Sequence, residues 1–216
     1  MAKYRLEFSK TGETKFVSHL DLVRLFTRVM GRANMPLSYS EGFNPHPKMS
    51  IGIPLSVGVT SNAELLDVEF YDEIPTDDIK ARLNEKMPIG VEITRVKKLE
   101  QGAPKLSLVS KAQYDIELFG AALCQKDIDD FLALGTIEIE KKTKRSEKVV
   151  DIKPDIFAIS LKGENLLFME LATGSNANLK PDIVIDAMRA YINGFNPTDY
   201  AVHRCKMTDD EGNELI

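Results

Sequence analysis

Cysteine is nearly absent from this chain. Cys124 and Cys205 are the two in 216 residues, and they lie far apart. They form neither a zinc-binding spacing nor an iron–sulfur motif, and they suit free thiols in a reducing compartment. No window approaches the run of about 18 apolar residues that a membrane span requires. The opening "MAKYRLEFSK" carries charge at every second or third position and has no apolar signal core, so a cytoplasmic location is expected. There is no glycine-rich phosphate loop, no HExxH and no nucleophile elbow. Asp77-Asp78 and Asp129-Asp130 read as helix-surface acids rather than a metal pair. No cofactor and no metal site are expected.

A strong charge of one sign is missing too. The net charge is -5, which gives no global basic field. Its distribution is uneven, however. Residues 1–60 hold eight Lys/Arg against four Asp/Glu, a net of +4, whereas residues 61–100 hold six against ten, a net of -4. A local basic surface can therefore exist on an acidic protein.

Periodicity supplies the architecture. "KYRLEFSK" alternates, with Tyr4, Leu6 and Phe8 on one face, as a strand does. From Ser18 to Asn34 the period changes to three and four, with Val23, Phe26, Met30 and Ala33 on one stripe. Ser18 is the expected N-cap and Asp21 the first-turn acid. "KMSIGIPLSVG" reads as a strand to Pro54, and "AELLDVEFYD" as another. "PTDDIKARLNEKMP" reads as a helix and "GVEITRVKKL" as a closing strand. The order is βαββαβ. After a connector at residues 100–107 the same order repeats. "AQYDIELF" is a strand, "CQKDIDDFLAL" a helix, and "TIEIEKKT", "KVVDIKPDIFAISL" and "NLLFMELA" are strands. "PDIVIDAMRAYI" is a helix opened by Pro181, and "DYAVHRCKM" closes. The expected fold is α+β: two tandem ferredoxin-like domains, residues 1–103 and 108–216, with antiparallel sheets and helices on one face.

The segment "SYSEGFNPHPKMS" sets His46 between two prolines. Asn44 and His46 each precede proline and are driven toward extended geometry, and each proline fixes its own φ. The imidazole therefore sits on a stiff segment with little ordering entropy left to lose on binding. Beside Lys48 it suits contact with phosphate or base, while its titration range also suits proton transfer. A simple turn is the third reading. Tyr39 and Phe43 can stack on unpaired bases. Arg24, Arg28 and Arg32, four apart, form a basic ridge opposite Phe26 and Met30: either solvated charge or a phosphate-binding face. His19 reads as a neutral packing residue at the helix start. Lys141, Lys142, Lys144 and Arg145 lie in "KKTKRSEK", read as a strand junction that is either a phosphate-contacting finger or a solubilising tip. Gly-Phe-Asn-Pro occurs at 42–45 and again at 194–197, which reads as reuse of turn chemistry.

Four of these stretches together resemble a known family. They are Ser18–Asp21, Gly42–Pro47, Pro54–Gly58 and Ser61–Glu64, in "SHLD", "GFNPHP", "PLSVG" and "SNAE". In these it is similar to the uncharacterised radical SAM-linked proteins, a domain-of-unknown-function family. The resemblance implies a radical SAM enzyme of cobalamin type as partner, and an accessory role presenting transfer or ribosomal RNA to it. With no cluster-binding cysteines here, iron–sulfur chemistry would belong to the partner. Two alternatives stand beside that expectation. One is a metal-independent endoribonuclease using His46, with Tyr39 assisting and Lys48 stabilising phosphate. The other is a purely protein–protein adaptor.

Overall fold

The computed structural model describes residues 1–143, 146–174 and 176–216, with backbone alone at 141–143 and 146–147. The chain forms two compact units: Met1–Val109 with Asn213–Ile216, and Ser110–Gly212.

The first unit contains β1 (Ala2–Lys10), α1 (His19–Arg32), β2 (Met49–Ile51), β3 (Thr60–Phe70), α2 (Thr76–Lys86) and β4 (Val91–Leu99). Its strands run in the order β4-β1-β3-β2, every pair antiparallel. Alternation on β1 sends Tyr4, Leu6 and Phe8 to one face. There they join Leu66, Val68 and Phe70 of β3 beneath Leu22, Phe26, Val29 and Met30 of α1 and Ile79 and Leu83 of α2. Phe8 and Phe26 meet edge to face at 4.8 Å, the arrangement their ring quadrupoles favour.

On β1's other face lies a buried guanidinium. Arg5 forks onto Asp67 of β3 at 2.6 and 2.7 Å and donates its remaining nitrogen to the Leu215 carbonyl at 2.7 Å. Residues 213–216 thereby pack on this unit. The planar fork suits a bidentate carboxylate, and the carbonyl satisfies the third direction.

The second unit contains β5 (Lys111–Phe119), α3 (Gln125–Leu132), β6 (Glu138–Thr143), β7 (Ser146–Asp151), β8 (Ile156–Leu161), β9 (Leu166–Ala172), α4 (Pro181–Tyr191) and β10 (Asp199–Thr208). Four strands form an antiparallel sheet in the order β10-β5-β9-β8. β5 buries Ala112, Tyr114, Ile116 and Leu118, and α4 buries Val184, Ile185 and Met188. Here the expectation of a plain repeat needs correcting. β6 and β7 pair with each other as a separate two-stranded sheet between α3 and β8. The run "KVVDIKPDIFAISL" is not one strand, because a turn at Lys153–Asp155 divides it. Pro154 cannot donate to a ladder. The Asp151 carboxylate accepts from Ile137 N at 2.8 Å and from Lys153 N at 3.0 Å, pinning the corner. In the first unit, β2 stops at Ile51 rather than Pro54. The architecture is thus mixed α+β, with four α-helices among the described residues. Among the described residues, no helix is long and apolar enough to cross a membrane.

Removing the Asp67 carboxylate leaves the Arg5 guanidinium in the interior without its counter-charge. Asp67→Ala is expected to lower stability by about 3 kcal/mol, the lower end for a broken buried pair, with Asp67→Asn milder. Urea denaturation of the three proteins checks the ranking.

Candidate functional site

The GFNPHP segment is the tip of a hairpin. Its first limb, Ser38 to Ser40, lies against its second, His46 to Lys48. Ser40 N donates to the His46 carbonyl at 2.8 Å and Lys48 N to the Ser38 carbonyl at 2.8 Å, while Tyr39 bridges Pro47. His46 N donates to the Ser40 hydroxyl at 2.9 Å. The prolines explain this pattern. Pro45 and Pro47 have no N–H, so the second limb's available donors are those of His46 and Lys48, and both point at the first limb. Gly42, at φ +119°, turns the tip through a conformation that other residues rarely adopt.

A single residue of β3 holds both limbs. Glu69's carbonyl accepts from Ser38 N at 2.9 Å, and its N–H donates to the Lys48 carbonyl at 3.0 Å. Its carboxylate accepts from Lys48 Nζ at 3.0 Å and from the Ser38 hydroxyl at 3.4 Å. Lys3 stands 3.9 Å away. The Lys48 ammonium donating to it holds the Glu69 carboxyl below its ordinary value of 4.5, against the opposing effect of burial. Above this root the tip is open to solvent. Phe43 is fully exposed (106%), His46 is exposed and Tyr39 is 39% exposed.

The arginines occupy α1. Ser18 caps the helix: its hydroxyl accepts from Asp21 N at 3.2 Å and donates to the Asp21 carboxylate at 2.8 Å. Asp21 in turn accepts from Arg24 at 2.8 Å. The hydrogen bonds from Ser18 and then Arg24 lower the Asp21 pKa. The buried Lys10 ammonium donates to the Lys15 and Val17 carbonyls and so sets the entry to α1. At the other end α1 and α2 cap each other. Arg32 donates to the Lys86 carbonyl, which ends α2, at 3.0 Å. Arg82 of α2 donates to the Ala33 and Asn34 carbonyls beyond α1 at 2.7 and 2.6 Å. Each helix thus receives a cation where its orphan carbonyls gather. Arg24, Arg28 and Arg32 line one groove of about 470 Å³ with Leu25, Asp21 and Pro88. Arg28 is exposed and, among the described residues, donates no hydrogen bond.

The expected residues therefore fall into separate groups. Arg24, Arg28 and Arg32 come together between α1 and the end of α2. Tyr39, Phe43, His46 and Lys48 come together on the hairpin rooted in β3. Lys48 is committed to Glu69 rather than offered to a ligand. His19 is half-buried at the start of α1. Lys144 and Arg145, and the side chains of Lys141 and Lys142, lie outside the described residues. Glu69 and Arg82 carry the local order, and sequence reading missed both. For Arg82 the signal was Asp78 four residues earlier, its ion pair at 3.3 Å. For Glu69 there was none, because its partners lie 21 and 31 residues away. Among the described residues no group of acidic, histidine and cysteine side chains could hold a metal ion.

The family described as "Uncharacterized protein conserved in bacteria (DUF2344)" matches residues 3–181. No curated protein matches the chain in sequence. Among solved structures, a chain of a Cbf5-Nop10-Gar1 complex superposes with a TM-score of 0.50 at 11% identity, over 94% of this chain and 48% of that one. A chain of the archaeal box H/ACA sRNP Nop10-Cbf5 complex gives 0.46 at 10% identity, over 93% and 46%. The protein spans about half the length of these chains, and at such identity the first likeness bears on fold alone.

With its pKa lowered, Glu69 contributes its full stabilisation above pH 4.5, and that contribution is lost as pH falls through the folded value. Amide exchange at Ser38 and Lys48, corrected for intrinsic rates, should therefore accelerate below pH 4.5. Glu69→Gln should remove that pH dependence while leaving protection in α1 unchanged.

Proposed function

The chain belongs to the DUF2344 family of uncharacterized proteins conserved in bacteria, and from its geometry we propose that it is a non-catalytic RNA-binding module that presents RNA to a partner enzyme. The observation that carries this reading is the arginine-lined groove on α1. It gathers three guanidinium groups, of which Arg28 is the least committed to the protein itself. Planar guanidinium groups match phosphate oxygens bidentately, and such contacts supply affinity without reading sequence. The braced hairpin complements it. Phe43 and Tyr39 offer ring faces to unpaired bases, and His46 offers a polar edge. The two patches act as separate contacts on one unit, the groove for backbone and the hairpin for bases. Lys141, Lys142, Lys144 and Arg145 extend the phosphate-binding set in the second unit.

The finer fold reading belongs to the same proposal. It is supported by the antiparallel order of the four-stranded sheet in each unit, which, counted among that sheet's own strands, runs last, first, third, second, as a ferredoxin-like sheet does; the two domains are taken as 1–103 and 108–216, with residues 213–216 packing back on the first unit. The partner is the radical SAM enzyme implied by the sequence resemblance, the RNA is transfer or ribosomal RNA, and the setting is the cytoplasm. The endoribonuclease reading is weaker because its phosphate stabiliser, Lys48, is neutralised by Glu69 at 3.0 Å.

Arg28→Glu tests the groove with little structural cost, and Arg24→Glu/Arg28→Glu/Arg32→Glu tests it fully. Binding to bulk transfer and ribosomal RNA, measured by filter retention across a salt series, is expected to weaken in that order. The salt slope should fall by about 0.7 for each single-strand phosphate contact removed. Unchanged affinity and slope for every RNA would remove the groove from the reading.

A further inference from the structure

The connection from α2 to β4 borders two hollows. Pro88 lines the arginine groove, and it also lines a second hollow of about 380 Å³ with Ser9, Asn84, Met87, Ile89 and Glu92. A chain whose phosphates lie among the arginines therefore meets the second hollow across one residue.

Residues 87–90 are fastened at both ends. Met87 N donates to the Asn84 carbonyl at 3.3 Å and Val91 N to the Pro88 carbonyl at 3.2 Å. The Gly90 carbonyl accepts from Thr11 N at 2.7 Å and from the Thr14 hydroxyl at 3.0 Å. Gly90, at φ +92°, lies so close to that turn that a Cβ would stand 2.6 Å from the Thr11 carbonyl oxygen. On this fixed loop the Ile89 side chain is fully exposed (100%). Folding gains nothing from it, whereas an apolar side chain already held in place gives affinity at little ordering cost when it is covered.

The polar groups of the hollow divide into committed and uncommitted. The Asn84 amide exchanges two hydrogen bonds with the Ile93 backbone, at 3.0 and 2.7 Å. Ser9 and Glu92 stand opposite each other in the β1–β4 ladder. Among the described residues neither of their side chains makes a hydrogen bond or ion pair. A bare carboxylate repels a polyanion unless a base donates to it. On its Watson–Crick edge guanine alone sets two N–H donors side by side, at N1 and N2. Adenine, cytosine and uracil each put an acceptor beside a donor. Such edges are accessible where RNA is single-stranded.

We propose that this hollow is a guanine-binding site for single-stranded RNA, an inference that rests on the RNA reading of the arginine groove. The base lies against Pro88 and Ile89, Glu92 accepts from its N1–H and N2–H, and the Ser9 hydroxyl is the donor available to O6. Glu92 sets the specificity in both directions, because any other base brings a lone pair against its charge.

The probes are fluorescein-labelled heptamers of uridine whose central residue is guanosine, inosine or adenosine. Anisotropy with the full chain should show the guanosine oligomer binding about tenfold more tightly than the adenosine one, the scale of one good bidentate contact. Inosine, which keeps N1–H and lacks the 2-amino group, should fall between. Glu92→Gln should weaken the guanosine oligomer and tighten the adenosine one, bringing the two together. Ile89→Ala should weaken all three alike. Both residues are exposed, so neither variant disturbs the core. Salt-dependent binding without preference among the three would overturn the guanine site and leave the arginine groove standing. A preference that survives in Glu92→Gln would assign it to another contact and overturn the site too. Failure of every heptamer to bind at low salt would overturn the RNA reading and the guanine site together.

Discussion

The hairpin that carries Phe43 and His46 stands in one orientation because Glu69 grips both of its limbs, with backbone and side chain together. Four hydrogen bonds converge on that residue, two through its main chain and two through its carboxylate. A carboxylate taken largely out of water is costly unless charge and hydrogen bonds return what hydration supplied. Lys48 and Ser38 do so here. The arrangement is self-consistent, since the ligands that stabilise the carboxylate are the residues it positions. The nine residues 39–47 then project from a base that belongs to the sheet, and the prolines stiffen what the base aims.

A similar economy joins the two helices of the first unit. Arg32 serves the end of α2 and Arg82 the end of α1. Such cross-capping satisfies carbonyls that would otherwise need water, and it fixes the helix ends against one another. It also changes how the basic ridge should be understood. Three arginines at four-residue spacing look equivalent on a helical wheel. In three dimensions one is tied to the N-terminal cap network, one closes a neighbouring helix, and one faces solvent. A charge count overstates how much of such a ridge is free to meet a ligand.

What could be read from the chain followed the range of the interactions concerned. The cap at Ser18 and Asp21 spans three residues, and its residue types declare it. The alternation of Tyr4, Leu6 and Phe8 records a buried face directly. The stiffness of the GFNPHP segment follows from its prolines. Its hairpin pairing does not, because that depends on Glu69 across the fold. Period-two runs at Glu138–Thr143 and Ser146–Asp151 say strand without saying which strand lies alongside. The junction expected between them is consistent with their pairing, whereas the repeated order expected of the second domain does not hold, because they form a two-stranded sheet of their own. Pro154 was the available warning that the second of these runs could not continue unbroken. The roles of Glu69 and Lys48 were illegible for the same reason: an ion pair 21 residues apart is a matter of tertiary distance, and the alphabet of the chain does not encode it locally.

Gly-Phe-Asn-Pro appears twice, and the two phenylalanines meet opposite ends. Phe195 is buried to 3% exposure, whereas the ring of Phe43 stands wholly in water. The first has already spent its hydrophobicity on folding. The second keeps it in reserve, and a surface that covered the ring would gain on the order of ten- to a hundredfold in affinity from that side chain alone. A phenyl ring held out on a braced support loses little freedom on being covered, so most of that gain would reach whatever covers it.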